Sequence, residues 1–281
     1  MVMYQPLAAI DHMQFIDELI AERQNGVNAD FFTGIRPDWR ARTQAYLDAA
    51  GSPEHVLEWL DVTDKKTKTK FLSLYNSPKD GSVQGVMLDA LRNQELTHCL
   101  ACGEPGAPNT IDHYLPKGKF PHFCVTPANL FRMCDACQLE KLEKTGDANT
   151  PRYFLHPYYD AFAAEQVLEL IIVPPFDTPT FELRPAATLM GDQAILVTTH
   201  IRELAMVSRY VVYFKGQYRR LRSQARLMRL KGLDVAQIIE IFGNGMDIPS
   251  PNAWDHVFYI SVLNNPALIE FLSTEPLPEY L

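Results

Sequence analysis

The sequence predicts an α+β, mostly helical chain built around a cysteine-rich centre, and three observations carry that reading. Apolar residues recur at helical spacing through the first 95 residues and again near the end. Residues 96–160 are rich in Cys, His, Pro and Gly and lack clean periodicity. After Pro157 come β-branched and apolar runs before helical spacing resumes. The predicted division is a helical N-terminal region, 1–95; a central module, 96–160; and a C-terminal region, 161–281, with β-strands and a long basic amphipathic helix.

In the first region a helix fits His12 to Arg23, where Met13, Phe15, Ile16, Leu19 and Ile20 make one apolar face. Pro37 to Ala50 reads as a second helix, with Pro in its first turn and Gly51 just past its end. Pro53 to Asp61 and Lys66 to Tyr75 are shorter candidates. The stretch SPKDGS at 77–82 is a turn, and Val83 to Asn93 a further helix. In the last region Val167 to Val173, Thr180 to Leu183 and Ala194 to Thr199 read as strands, and Ile201 to Leu230 as one long helix. Asp234 and Asn252 are candidate N-caps for helices over 235–243 and 253–263, and Pro266 to Leu272 is a last short helix.

The chain has 281 residues, 47% of them hydrophobic and 21% charged, enough for one large domain or two smaller ones. No apolar run approaches the roughly 20 residues of a membrane span. The opening MVMYQPLAAIDHMQF has no basic start followed by an apolar core, so no signal peptide is expected and the expected location is cytoplasmic. The net charge of -8 is unevenly spread. Residues 202–231 hold nine Lys/Arg against one acid, Glu203, a local +8 in an acidic chain. In the long helix Val207, Val211, Phe214, Tyr218, Leu221, Ala225 and Met228 step along one apolar face. Lys215, Arg219, Arg222, Arg226 and Arg229 take the same steps one residue on. This basic stripe is either a solvated flank or a surface that tracks nucleic-acid phosphates.

Five cysteines are present, and four form two C-x-x-C pairs, Cys99/Cys102 and Cys134/Cys137, with 31 residues between the pairs. Each pair sets two thiolates on a tight turn, and two such turns complete a tetrahedral, structural Zn²⁺ site with no open position for chemistry. A redox C-x-x-C usually stands alone near a βαβ unit, so a thiol oxidoreductase is not expected. Cys124 is left over, as a buried thiol. Inside the loop closed by the pairs lie Asp112 and His113, adjacent and therefore on opposite faces of a regular strand. The full stretch reads C-L-A-C-G at 99–103, I-D-H-Y-L-P-K at 111–117 and A-N-L-F-R-M-C-D-A-C-Q-L-E-K at 128–141.

The order C-x-x-C, D-H, N, C-x-x-C resembles the HNH endonucleases with the ββα-metal motif. The resemblance lies with the subgroup carrying a four-cysteine zinc, such as phage endonuclease VII and McrA-like restriction nucleases. It covers roughly 60 residues, and outside that span the chain is similar only loosely to HNH proteins of phage-defence operons, including the Septu type. The resemblance implies a central zinc-stabilised ββα-metal module that hydrolyses DNA phosphodiesters with Mg²⁺ or Mn²⁺. Asp112 would bind that catalytic ion, His113 would act as general base, and Asn129 would orient His113 or its loop. After the last cysteine the family often has Asn or His as a further ligand; here Gln138 stands there, and His156 in L-H-P-Y-Y-D is a second candidate. Asp160 would support the site or cap a helix, and Lys117, Lys119 and Lys141 would contact phosphate.

The competing reading is a zinc-stabilised nucleic-acid or protein-binding module with an inactive nuclease site, which Gln138 favours. The long flanking regions suggest a partner or an oligomer, and the expected setting is anti-phage defence beside a sensor or ATPase. No G-x-x-x-x-G-K-[ST] occurs, so that ATPase would be a separate chain.

Overall fold

The computed structural model describes residues 2–244 and 249–279, which form ten α-helices and two small antiparallel sheets. The N-terminal region is helical: α1 (His12–Ala21), α2 (Ala29–Asp48), α3 (Lys65–Asn76) and α4 (Val83–Arg92). Asp11, Asp64 and Ser82 cap α1, α3 and α4 by accepting from backbone N–H groups of the first turn. Helix α2 begins eight residues before Pro37, which therefore lies inside it, where the ring removes one backbone hydrogen bond. The helix expected over Pro53 to Asp61 is a run of turns ending in a 3-10 turn at Leu60–Val62. Val56 and Trp59 bury there while Leu57 and Leu60 stay exposed, so no helical apolar face exists.

The central module contains strand β1 (Thr110–His113), paired antiparallel with β2 (Leu130–Met133), and helix α5 (Asp135–Lys141) directly after β2. Asp112 stands opposite Phe131 and His113 opposite Leu130. Arg132 on β2 reaches the carbonyls of Leu91 and Arg92, satisfying the C-terminal end of α4 and fixing the helical region to the hairpin. One apolar core joins α1 to α4 with Cys124, Val125 and Leu130. A second joins the cysteine turns, the loop after β1 and the whole C-terminal region.

The C-terminal region holds β3 (Leu168–Val173) paired with β4 (Thr180–Pro185), then α6 (Gly191–Glu203), α7 (Met206–Leu230), α8 (Val235–Asn244), α9 (Trp254–Leu263) and α10 (Pro266–Thr274). The strand expected over Ala194 to Thr199 is part of α6. Its β-branched residues misled, because burial falls at Val197, His200, Ile201 and Leu204, a helical spacing. The long helix is broken at Ala205, whose φ of 47° is left-handed, between the fully buried Leu204 and Met206. No helix among the described residues is long and apolar enough to cross a membrane.

Asn252 is not a helix cap. It is fully buried, and its amide accepts from Val167 N (2.7 Å) and Leu168 N (3.1 Å) and donates to Ala163 O (3.2 Å) and Glu165 O (2.8 Å). Removing it strands several buried backbone groups at once. Asn252→Ala is expected to destabilise the chain by about 3 kcal/mol, read as a lower urea midpoint with an unchanged slope.

Candidate active site and metal centre

Cys99 and Cys102 sit on a tight turn in which Gly103 N bonds Cys99 O at 2.8 Å. Gly103 adopts φ 80°, and a Cβ there would lie 2.2 Å from Asn252 O, so the turn admits only glycine. Cys134 ends the hairpin and Cys137 lies in the first turn of α5. The four sulfurs are all within 4.8 Å of one another. A tetrahedral zinc with Zn–S of about 2.3 Å needs sulfurs about 3.8 Å apart, so the cluster has the size and chemistry for that ion.

Sequence reasoning missed Arg209 on α7. Its guanidinium lies 3.2 Å from Cys137 Sγ and 3.6 Å from Cys102 Sγ, and pairs with Glu104 at 2.6 Å. Tyr210 OH and Trp254 Nε1 both donate to Cys102 O, at 3.1 and 2.5 Å, and His200 Nε2 donates to Ala101 O at 2.7 Å. The C-terminal region thus grips the first cysteine turn at its carbonyls and its sulfurs.

His113 closes β1, with 4% of its surface exposed. Its Nε2 is 2.9 Å from Cys124 O; a carbonyl only accepts, so Nε2 carries the proton and Nδ1 holds the lone pair. No protein hydrogen bond engages Nδ1 among the described residues. Burial lowers the ring's pKa to about 4, against the opposing pull of Asp112. The ring of Tyr75, from α3, stands 4.6 Å away, and Tyr75 OH donates to Ile111 O at 2.9 Å. Lys117 lays its ammonium 4.3 Å over the other side of this neighbourhood, on the Tyr75 ring, and burial lowers its pKa.

Asn129 is fully buried and saturated. Its oxygen accepts from Leu115 N (2.7 Å) and Tyr46 OH (3.2 Å), and its nitrogen donates to Leu115 O (3.0 Å) and Phe123 O (3.2 Å). It therefore latches the loop that presents Cys124 to His113.

Several expected roles need correction. Lys141 is not a phosphate contact: it is fully buried, pairs with Asp112 Oδ2 at 2.9 Å and donates to His113 O at 2.6 Å. His156 is not an ion ligand. Tyr158 N donates to its Nδ1 at 3.2 Å, so Nε2 carries the proton and meets Tyr46 OH at 3.0 Å, leaving no lone pair. It is packed among aromatic rings, with Tyr159 at 4.5 Å. Asp160 accepts from His156 N and pairs with Arg152, locking that turn rather than the site. Gln138, half-buried on α5, has no side-chain bond to Asp112. Among the described residues the four cysteines are the one group of three or more His, Cys, Asp or Glu side chains close enough to hold a metal. With Lys141 already at Asp112, the residues there do not fit a resident divalent ion.

The basic stripe of α7 is largely spent on the protein itself. Arg222 is buried and donates to Asp177 O at 2.9 Å; Arg226 pairs with Glu279 at 2.8 Å; Arg229 donates to Glu275 O at 2.6 Å and Thr274 O at 3.2 Å. These three hold the β3–β4 turn and the segment after α10, so they do not form a phosphate surface. Lys215 and Arg219 are exposed.

No family model and no solved structure matches the chain. It is similar to protein ea31 of Escherichia phage lambda, 30% identical over 101 residues, which is 35% of this chain and 34% of that protein. The chain thus spans about a third of the length of this relative.

The cluster makes a direct test possible. Metal analysis is expected to find one zinc per chain, lost in Cys137→Ser. Arg209→Leu is expected to speed zinc release to a chelating dye while leaving the stoichiometry at one, because it removes the cation on the sulfurs and no ligand.

A second expectation concerns acid stability. His122 is fully buried beside Phe123 and Trp59, neither ring nitrogen has a partner, and burial lowers its pKa to about 3. In the unfolded chain His113 and His122 titrate near 6.5 and bind protons that the native rings refuse. Native stability from these two is complete above about 6.5 and falls as pH drops, towards 4 for His113 and towards 3 for His122. His122→Phe is expected to flatten that fall and to raise the melting temperature at pH 5 more than at pH 7.

Proposed function

We propose that this chain hydrolyses phosphodiester bonds in nucleic acid, DNA foremost, at Asp112 and His113, as a zinc-held nuclease of the HNH kind. The state of His113 carries the reading. One ring nitrogen is fixed by the Cys124 carbonyl, the other keeps its lone pair, and burial keeps the ring neutral above about pH 4. The free lone pair is what a general base requires; a ring titrating near 4 accepts a proton more weakly than one titrating near neutral pH. The resemblance adds its support: the motif order falls on a hairpin followed by a helix, with the cysteines at its base.

In this reading Nδ1 takes a proton from water, whose oxygen attacks phosphorus while the bond to the leaving sugar oxygen breaks. The leaving oxygen takes its proton from solvent. Lys117 is the ammonium placed to meet charge on the phosphate, and Lys141 orients Asp112 from behind. The four cysteines bind structural zinc. The Mg²⁺ or Mn²⁺ that the resemblance implies enters only as a variable of the assay. The proposed setting is antiviral defence with a separate ATPase or sensor chain, since none of the described residues of 161–281 contributes to the Asp112–His113 site.

The pairing of Lys141 with Asp112 favours a second reading, a zinc-stabilised nucleic-acid-binding module without hydrolysis. A plasmid-cleavage assay separates the two, run with Mg²⁺, Mn²⁺ or EDTA. Cleavage is expected in the wild type and a fall of about 10²- to 10⁴-fold in His113→Ala. Equal cleavage in both removes His113 as the base; binding with no cleavage under any condition leaves the second reading. The acid limb of kcat/KM is expected near pH 4 rather than 6.5, following the lowered pKa of the free enzyme's base.

A further inference from the structure

We infer that one face of α3, led by Lys65 and Lys68, forms with Lys117 and Lys119 the surface that grips nucleic-acid phosphates and feeds the strand to His113. The inference rests on the hydrolase reading for its direction, since it is His113 that marks where the strand must arrive.

The placement comes from two fixed points. Lys68 Nζ donates to Gly118 O at 2.5 Å, and seven residues on, Tyr75 bonds Ile111 O and packs on His113. Lys65, Lys68 and Tyr75 share a helix face, being three and seven residues apart. That face therefore runs along the loop after β1 and ends at the candidate base. From Lys65 to Tyr75 the helix rises about 15 Å, which matches about four phosphates of one strand at about 3.4 Å each along the duplex axis.

On this face Lys68 gives one of its three donors to Gly118 O and Lys117 lies over the Tyr75 ring, but neither they nor Lys65 and Lys119 are neutralised by an ion pair among the described residues. Residues 65–70 hold four lysines. The acid that opens the helix, Asp64, is engaged as a cap to Lys66 N and Thr67 N at 3.0 and 3.1 Å. Among the described residues no carboxylate comes within ion-pair distance of Lys65, Lys68, Lys117 or Lys119, whereas Arg222, Arg226 and Arg229 of α7 are bound to the protein's own acceptors. Two acids oppose the surface: Glu143, whose carboxylate lies against Gly118, and Asp112, whose charge is felt at Lys117. Lysines on backbone phosphates give affinity without base readout, so the ligand is a nucleic-acid strand of any sequence.

The test is binding of a fluorescent random-sequence duplex, and of the matching single strand, to full-length His113→Ala between 50 and 200 mM salt. Adding Lys65→Gln, Lys68→Gln and Lys119→Gln is expected to lower the slope of log affinity on log salt by about 2 to 3 on duplex. Lys65→Gln with Lys119→Gln alone, which keeps the Lys68–Gly118 bond, is expected to lower it by about 2. Arginines at the same positions are expected to restore it, and Glu143→Gln to tighten binding. An unchanged slope in both lysine variants, a loss that appears instead in Lys215→Gln, or no binding of either probe at 50 mM salt overturns the inference. If the wild type binds through these lysines yet cleaves nothing, the hydrolase reading fails and the surface stands.

Discussion

Four cysteine sulfurs within 4.8 Å of one another form the junction at which the chain's separate parts meet. As thiolates they repel, and burial sharpens that repulsion; Arg209 supplies one positive charge at 3.2 Å, and the zinc of the proposed holo state supplies two more. Once the junction is closed, the turn at 99–103 is fixed to the end of β2 and the start of α5. Tyr210, Trp254 and His200 then clamp that turn from the C-terminal region. The hairpin is thus braced from one side by the cysteine turn and from the other by Arg132 reaching the end of α4. A four-residue strand pair would be marginal alone. Held at both ends, it can keep a buried histidine in one tautomer.

The loop between the strands is the second layer of this arrangement. Asn129 uses three hydrogen bonds to tie Leu115 to Phe123, and Tyr46 from α2 supplies the fourth. Phe123 precedes Cys124, whose carbonyl holds His113. The orientation of one imidazole thus depends on a helix far away in sequence, through Tyr46, an asparagine and a carbonyl. Each group in the path is buried, so a missing partner leaves a polar atom unsatisfied and is felt at the ring.

Much of this was legible in the residues, and the parts that were not have identifiable reasons. The cysteine spacing announced the sulfur cluster, because metal-binding turns are local. Helices with a one-sided apolar face, such as α1 and α4, were readable for the same reason. The strand expected at Ala194 to Thr199 failed because β-branched content outweighed the helical spacing of Val197, His200 and Ile201, which only the packed core reveals. The basic stripe of α7 had the right periodicity, yet its acceptors, Asp177 O, Glu275 O and Glu279, lie 45 to 53 residues away in sequence. Conversely, the lysine run at 65–70 was plain in the sequence but had no meaning until Lys68 and Tyr75 set α3 beside His113. The contact of Arg209 with the sulfurs had no local signal at all.

The buried Lys141 decides how the site is best interrogated. An ammonium with no solvent exposure needs a countercharge, and Asp112 at 2.9 Å supplies it, with the His113 carbonyl taking a second proton. Removing the carboxylate leaves a buried, unpaired cation, which destabilises a fold by several kcal/mol, about 3 to 5. Loss of activity on substituting Asp112 would therefore mix chemistry with unfolding. Substituting Lys141 has the mirror defect, since it frees a buried carboxylate beside His113 and would shift the ring's titration upward. His113 carries no such debt: its neutral ring makes one hydrogen bond to a carbonyl, and its loss leaves the Asp112–Lys141 pair intact. The residue that does the proposed chemistry is for that reason also the one whose removal reports most directly on it.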